Sequence, residues 1–418
     1  VADNTQLDPR RSDSARPKRT ALIAVIIAAA LLLGGAAFAA VLLLGGSSDP
    51  DPAPKPAPSP SPTADAAEEP AAPAPIHVIA MGDMLPHDSV NENAKQPDGS
   101  YNYAQFFDGI RTQLDAADVT FCNQEVPSAG VDFGISGYPT FNAPTEFARD
   151  LREAGGCDLI NLATNHNADK GIEGIAATRA AWDALSPAIV SGANRNAEEQ
   201  GTVDIFDKDG TSIALVSFAE FSNAPVDKVS MNFMDDDALV DRLMAQAREQ
   251  ADVVIVSAHW GTEDSHEVND AQRSFAAKLA GLGADVVVGT GPHVLQPVTW
   301  LNKAGGGKTL VWYSIGNMLS TQLELDQRTG VIAGFDVVRG DDGSVTIENP
   351  TAIPTYMHYD WSAEQEAAGE LAARHNLSLT PLADSDDLLK HTRFGVTAAA
   401  QLAATTSILG PDVRVVER

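Results

Sequence analysis

Residues 21–44 carry no charged or polar side chain, and this unbroken apolar run constrains the chain more than any other feature. As a helix it would span roughly 36 Å at 1.5 Å per residue, more than the ~30 Å hydrocarbon core of a bilayer. A cleavable signal peptide has a shorter apolar stretch, about 7–15 residues, ending at small residues. Ala37, Phe38 and Ala39 could imitate such an end, but apolar residues continue past them. A retained transmembrane helix over 21–45 is therefore expected, behind a tail over 1–20. Arg10, Arg11, Arg16, Lys18 and Arg19 precede the run, which keeps the tail cytoplasmic and sends the rest of the chain across the membrane.

Ten of the 25 prolines fall within residues 47–75, interleaved with Ala, Ser and Asp. Such spacing forbids a helix and favours an extended, solvated chain, so 46–75 reads as a linker. At ~3.1 Å per residue it could reach on the order of 90 Å from the membrane. Residues 76–418 then carry 22 basic and 49 acidic groups, a balance of −27. A domain that acidic lacks the Lys and Arg clusters that phosphate backbones require, which excludes nucleic acid as a charge-driven partner.

From Ile76 onward, short β-branched runs alternate with amphipathic stretches. Strands are predicted at 76–80, 118–122, 158–162, 251–260 and 284–289, with a hairpin around the turn 208–210 and further strands near 295–300, 309–314, 331–338 and 344–349. Helices are predicted near 104–114 and over 147–156, 171–185, 237–249 and 270–282. This alternation specifies an α/β sandwich with mixed sheets. A domain is expected over 76–350, followed by a mostly helical extension over 351–418. Cys122 ends one predicted strand and Cys157 opens its expected parallel neighbour. An offset of four to five residues at ~3.3 Å each is about 15 Å, beyond the ~7 Å between Cα atoms that a disulfide tolerates. Two buried free thiols are expected.

Residues able to bind metal or move protons recur after successive strands. Asp83 and His87 follow the first, Asn123 and Glu125 the second, and Asn165, His166 and Asp169 the third. His259 and Glu263, then His293, then Ser314 and Asn317 follow later strands. In α/β sheets ligands gather at the carboxyl ends of strands, so these segments should meet at one cleft. Each has a bland reading when taken singly: a Gly-Asp turn, an Asx turn with a helix cap, a satisfied core histidine. Their coincidence at strand ends favours a mixed oxygen and nitrogen ligand set, suited to Zn²⁺, Mn²⁺ or Fe. A glycosidase pair made of Asp83 and Glu125 would leave the histidines without a role.

The order and spacing of these segments resemble the CapA family of poly-γ-glutamate capsule biosynthesis proteins, and through it the calcineurin-like metallophosphoesterases. The resemblance rests on GD at 82–83, N-x-E at 123–125, FNAP at 141–144 and NLATNHNADKG at 161–171. It continues through HWGTE at 259–263, Gln272, PHVLQP at 292–297 and YSIGN at 313–317. It implies a metallophosphoesterase-like αββα sandwich with mixed sheets. It also implies Asp83, Glu125, Asn165, His259 and His293 as metal ligands, with His87 as a further ligand set two residues later than the superfamily's first histidine. His166 resembles the imidazole that protonates a leaving oxygen, oriented by Asp169. Gly291 stands where the superfamily usually has the first histidine of H-x-H, so one tightly held ion and a second, weakly held one are expected. The implied setting is the cell surface, acting on an anionic polymer or its precursor, alone or with other capsule synthesis subunits. The alternative is a non-catalytic, polymer-binding subunit of such a complex.

Overall fold

The computed structural model describes residues 74–418. The predicted tail, the transmembrane helix at 21–45 and nearly all of the linker lie outside these residues. Among the described residues no helix is long and apolar enough to cross a membrane.

Two sheets face each other. The first is built on parallel strands β1 (Ile76–Met84), β2 (Val119–Gln124), β3 (Leu159–Asn161) and β4 (Ile189–Ser191). It extends on the other side of β1 through antiparallel β12 (Thr329–Arg339), β13 (Val345–Asp360) and β14 (His375–Pro381). Short β11 (Asn317–Leu319) pairs the end of β1, and β15 (Arg414–Val415) pairs β13. The second sheet runs β5 (Ile205–Lys208), β6 (Thr211–Ala219), β7 (Val253–His259), β8 (Val286–Thr290), β10 (Lys308–Trp312), β9 (Val298–Asn302). β6, β7, β8 and β10 are parallel, and β5 and β9 close the edges as antiparallel partners.

Alternation along the strands sorts the side chains into layers. Val78, Ala80, Val119 and Phe121 meet Leu215, Ile255, Val288 and Trp312 between the sheets. Ile79, Met81, Cys122 and Ile160 point the other way, onto Phe107, Phe147, Leu151 and Trp182 of the outer helices. Val216, Val254, Val256 and Val287 likewise meet Leu239, Leu243, Phe275 and Leu279. Both faces of each sheet are covered, which is why the strands read as continuous apolar runs in the sequence. The result is the four-layer αββα sandwich with mixed sheets.

Two expectations are corrected. Cys122 and Cys157 form a disulfide, with Cα atoms 5.7 Å apart. Cys157 does not open the strand. It lies before β3 in the turn that ends the helix Thr145–Glu153, where its N–H donates to Leu151 O at 3.1 Å. The chain there crosses the outer face of the sheet, toward which Cys122 points, so distance along the strand was the wrong measure. The C-terminal segment is also less helical than expected, and the boundary at 350 falls inside β13. Beyond it, β14 and β15 complete the first sheet, and three α-helices (Ala363–Ala368, Asp386–Leu389, Ala398–Leu409) fill the intervals.

Candidate metal centre

Asp83 is placed by an irregularity. The pairing of β1 with β2 shifts between Met81 and Asp83, so Gly82 is an extra residue and Asp83 pairs with Asn123. Such bulges re-aim side chains near functional sites. Gly82 is required sterically, because any Cβ there would overlap the Gly316 carbonyl oxygen. Asp83 accepts from Asn123 Nδ2 at 2.7 Å, and Asn123 Oδ1 accepts from Asn161 Nδ2 at 2.5 Å. Side chains on three neighbouring strands thus hold the carboxylate in one orientation.

Glu125 follows β2, and its carboxylate is wholly buried with no hydrogen-bond partner on either oxygen. Burial holds its carboxyl well above the usual range, partly offset by the nearby His293. Asp83, Glu125 and His293 offer ligand atoms within 4.8 Å of one another. His293 sits in the loop after β8 with φ at +62°. That loop is tied down by Gln296, which accepts from Gln272 Nε2 at 2.7 Å, with Gln272 itself in the capping box of the helix Asp270–Gly281. Nδ1 of His293 lies 3.1 Å from both Asp83 Oδ2 and Asn317 Oδ1. Burial opposes a charge on this ring, but Glu125 and Asp83 outweigh it and push it up to about 10.

His259 ends β7 and joins the same centre. Its Nε2 lies 3.0 Å from Asn165 Oδ1 and 3.8 Å from Glu125 Oε1, and its Nδ1 lies 3.0 Å from Thr290 Oγ1. Burial lowers this ring to about 4, so it stays neutral, the form in which imidazole binds metal.

His166 lies at the cleft, where Nδ1 donates to Asp169 Oδ2 at 2.8 Å and Nε2 accepts from Asn223 Nδ2 at 3.2 Å. Asp169 is held in turn by the Phe141 N–H at 2.7 Å, and the Phe141 ring meets His166 edge to face at 4.6 Å. His87 stands apart from the Asp83–Glu125–His293 group. Its Nδ1 faces the Thr321 N–H at 3.4 Å and its ring packs against Phe141 at 5.5 Å. Burial and the nearby Arg374 guanidinium lower it to about 3. Together His87, His166, His293, Tyr138, Glu263 and Gln322 line a cleft of about 550 Å³. Glu263 is an exposed wall residue and no member of the buried group.

Gly291 is not a vacant ligand position. Its φ is +107°, and a Cβ would lie 2.8 Å from Trp260 O and 3.3 Å from His259 Nε2. The backbone has closed in, and the Gly291 N–H now points at Asp83 Oδ2 at 3.2 Å. Even Gly291→Ala should cost about 1–3 kcal/mol of stability, since it forces a side chain into a strained backbone and displaces His259. Chemical denaturation with metal analysis checks this; an unchanged midpoint would show that the loop has slack.

Sequence reasoning missed Asn161 and Asn223. Asn161 opens the motif at 161–171, but its part in holding Asn123 follows only from strand register, and Asn223 lies in the loop after β6, where no motif marks it.

The arrangement defines a class: a four-layer α/β protein with a buried carboxylate–imidazole centre at the ends of its parallel strands. The chain belongs to the family described as bacterial capsule synthesis protein PGA_cap, which matches residues 77–322. It is 29% identical over 226 residues to the PGA biosynthesis protein CapA of Bacillus subtilis (strain 168), covering 53% of this chain and 58% of that protein. It is also 29% identical over 189 residues to the capsule biosynthesis protein CapA of Bacillus anthracis, covering 43% and 44%. The chain thus spans about half the length of the curated relatives it matches. Among solved structures, the NAD nucleotidase NadN of Haemophilus influenzae superposes with a TM-score of 0.41 at 14% identity, covering 82% of this chain and 57% of that one.

Proposed function

We propose that this protein is a membrane-anchored, extracytoplasmic member of the capsule synthesis family with a metal-dependent hydrolase or transferase site. Its substrate would be a phosphoester or amide of an anionic surface polymer such as poly-γ-glutamate, or of a precursor. The observation that carries this reading is the Glu125 carboxylate, buried without a partner on either oxygen. Such a group is costly to bury unless a cation or donor meets it, and the other groups facing it, Asp83, His293 and His259, are themselves metal-ligand types. The Cys122–Cys157 bridge supports an extracytoplasmic setting, because cytosolic thiols are kept reduced.

Asp83, Glu125 and His293 would hold the tight ion. Glu125, Asn165 and His259 remain for a weaker second one, because Gly291 contributes no side chain. A divalent ion such as Mn²⁺, Zn²⁺ or Fe²⁺ would supply Lewis-acid polarisation of the phosphoryl or carbonyl oxygen. His166 does the proton work. Asp169 fixes the ring so that Nε2 faces the cleft, and with Nε2 protonated and the Asn223 amide turned to present its oxygen, the ring gives the Nε2 proton to the leaving oxygen. Asn223 positions the same nitrogen, and the exposed Tyr138 beside Phe141 offers an aromatic wall for a chain-like substrate.

Asp169→Asn should lower kcat by about 10–100-fold with KM nearly unchanged, because it removes only the group that orients the proton donor. Steady-state hydrolysis of a generic phosphodiester, with poly-γ-glutamate cleavage assayed in parallel, measures this. The closed-in Gly291 favours a second reading, a polymer-binding subunit without turnover. Metal-loaded protein that binds polymer but cleaves neither substrate would establish that one.

A further inference from the structure

Next to the metal cleft the described structure holds two buried arginines with no counter-ion. Arg328 is 5% exposed and Arg374 is 4% exposed. Both guanidiniums stack on one ring, Tyr359, at 3.9 and 5.5 Å from its centroid. Their hydrogen bonds go to backbone carbonyls: Arg328 Nε donates to Met357 O, while Arg374 donates to Leu371 O and Thr321 O. Neither meets a carboxylate among the described residues, and Arg328 Nη2 has no partner. Stacking on an aromatic face returns about 2 kcal/mol, whereas burying an ion costs several, so two such cations are unbalanced as they stand.

Arg328 lines a pocket of about 290 Å³ together with Tyr359, His358, His391 and Arg393. The pocket's own acids are already engaged. Asp360 accepts from Asn376 at 2.7 Å and meets His358 at 3.0 Å, while Glu366 pairs with Arg393 at 3.2 Å. In a chain with 57 acidic and 28 basic residues, this concentration of cations and histidines stands out against its surroundings. The segment 321–323 walls both sites. Gln322 lines the metal cleft and Leu323 lines this pocket, and Tyr359 Oη donates to Gln322 O at 2.9 Å. The lining residues fall at 323 and beyond, outside the family match at 77–322.

We propose that this pocket is an anion subsite in which Arg328, backed by Arg374 and with Arg393 holding the rim acids Glu324 and Glu366, takes a carboxylate of the polymer chain whose neighbouring units pass over the metal cleft. The proposal rests on the polymer reading given above. It removes a difficulty of that reading, since a strongly acidic domain would otherwise repel an acidic chain. The occupant is assigned as a carboxylate because the unpartnered Arg328 Nη2, on a guanidinium packed among the Tyr356, Tyr359 and Phe394 rings, offers one charged donor, and the polymer of the reading above carries one acid group per unit.

Fluorescence anisotropy of labelled poly-γ-glutamate with the full chain tests this, at low and high salt, with polyphosphate as the second probe. Wild type should bind poly-γ-glutamate, more weakly as salt rises. Arg328→Met should weaken binding about tenfold or more, the usual scale for losing a charged hydrogen bond. Arg393→Gln, at an exposed position, releases Glu324 and Glu366 beside the pocket and should weaken binding by a smaller, measurable factor, with metal content at the wild-type level in both. Wild-type binding that neither substitution alters would overturn the subsite and leave the polymer reading standing. Binding of polyphosphate alone, lost in Arg328→Met, would overturn both and assign the pocket to phosphate. No binding of either probe would likewise overturn both.

Discussion

Replacing both cysteines, as Cys122→Ser with Cys157→Ser, should lower the unfolding free energy by about 3–4 kcal/mol. The bridge closes a loop with a sequence separation of 35, and the chain-entropy relation for a loop of that length gives roughly this value. Its position gives the loss a local consequence as well. Cys122 lies on β2 one residue before Asn123, which orients Asp83, and three before Glu125. Cys157 belongs to the turn carrying the helix Thr145–Glu153 into β3. The bond fastens the strand that leads into Glu125 to the helical layer covering it. Urea denaturation of the double variant against wild type measures the effect. A thiol titration of the native protein should find no reactive cysteine before reductant is added. Equal stability of the two proteins, or two titratable thiols in wild type, would show that the bridge is absent.

Glu125→Gln should separate the cost of the site from its use. Without metal neither oxygen of the buried wild-type carboxylate accepts a hydrogen bond, and only His293 and His259, each 3.8 Å away, face its charge, so the neutral amide should leave the protein at least as stable. With metal the order should reverse. Wild type should gain about 2.7 kcal/mol at a divalent-ion concentration a hundredfold above its Kd, seen as a rise in Tm of several degrees. The variant should gain almost nothing, because the carboxylate shared by both candidate ions is gone. Thermal melts of both proteins with and without Mn²⁺ give all four numbers. A variant less stable than wild type without metal, yet equally stabilised by it, would make Glu125 a structural residue.

Much of this was legible in the sequence because it depends on local pattern. The apolar run 253–258 and its neighbours announce strands covered on both faces, and the KDG turn at 208–210 announces the β5–β6 hairpin that is observed. The clustering of Asp83, Glu125, Asn165, His259 and His293 was legible for a related reason, since parallel topology carries strand ends to one edge. What was not legible depends on path and register. The disulfide was missed because Cys157 leaves the line of its strand. The relay Asn161–Asn123–Asp83 was missed because it needs the exact pairing of three strands, including the extra Gly82. β14 was missed because its solvent-facing stretch at the sheet edge carries too few apolar residues to show a period. Gly291 could be read as a missing histidine, but only the packing of Trp260 against it shows that no side chain fits.

If Asp83, Glu125 and His293 hold a metal ion as proposed, elemental analysis of the purified full chain will find it. About one equivalent of tightly held divalent transition metal per chain is expected after exhaustive dialysis, with a second equivalent bound only when free metal is supplied. Asp83→Asn and Glu125→Gln should each lose the tight equivalent. A folded wild-type chain that retains no metal and takes up none from Mn²⁺ or Zn²⁺ would contradict the proposal, as would full metal content in both variants.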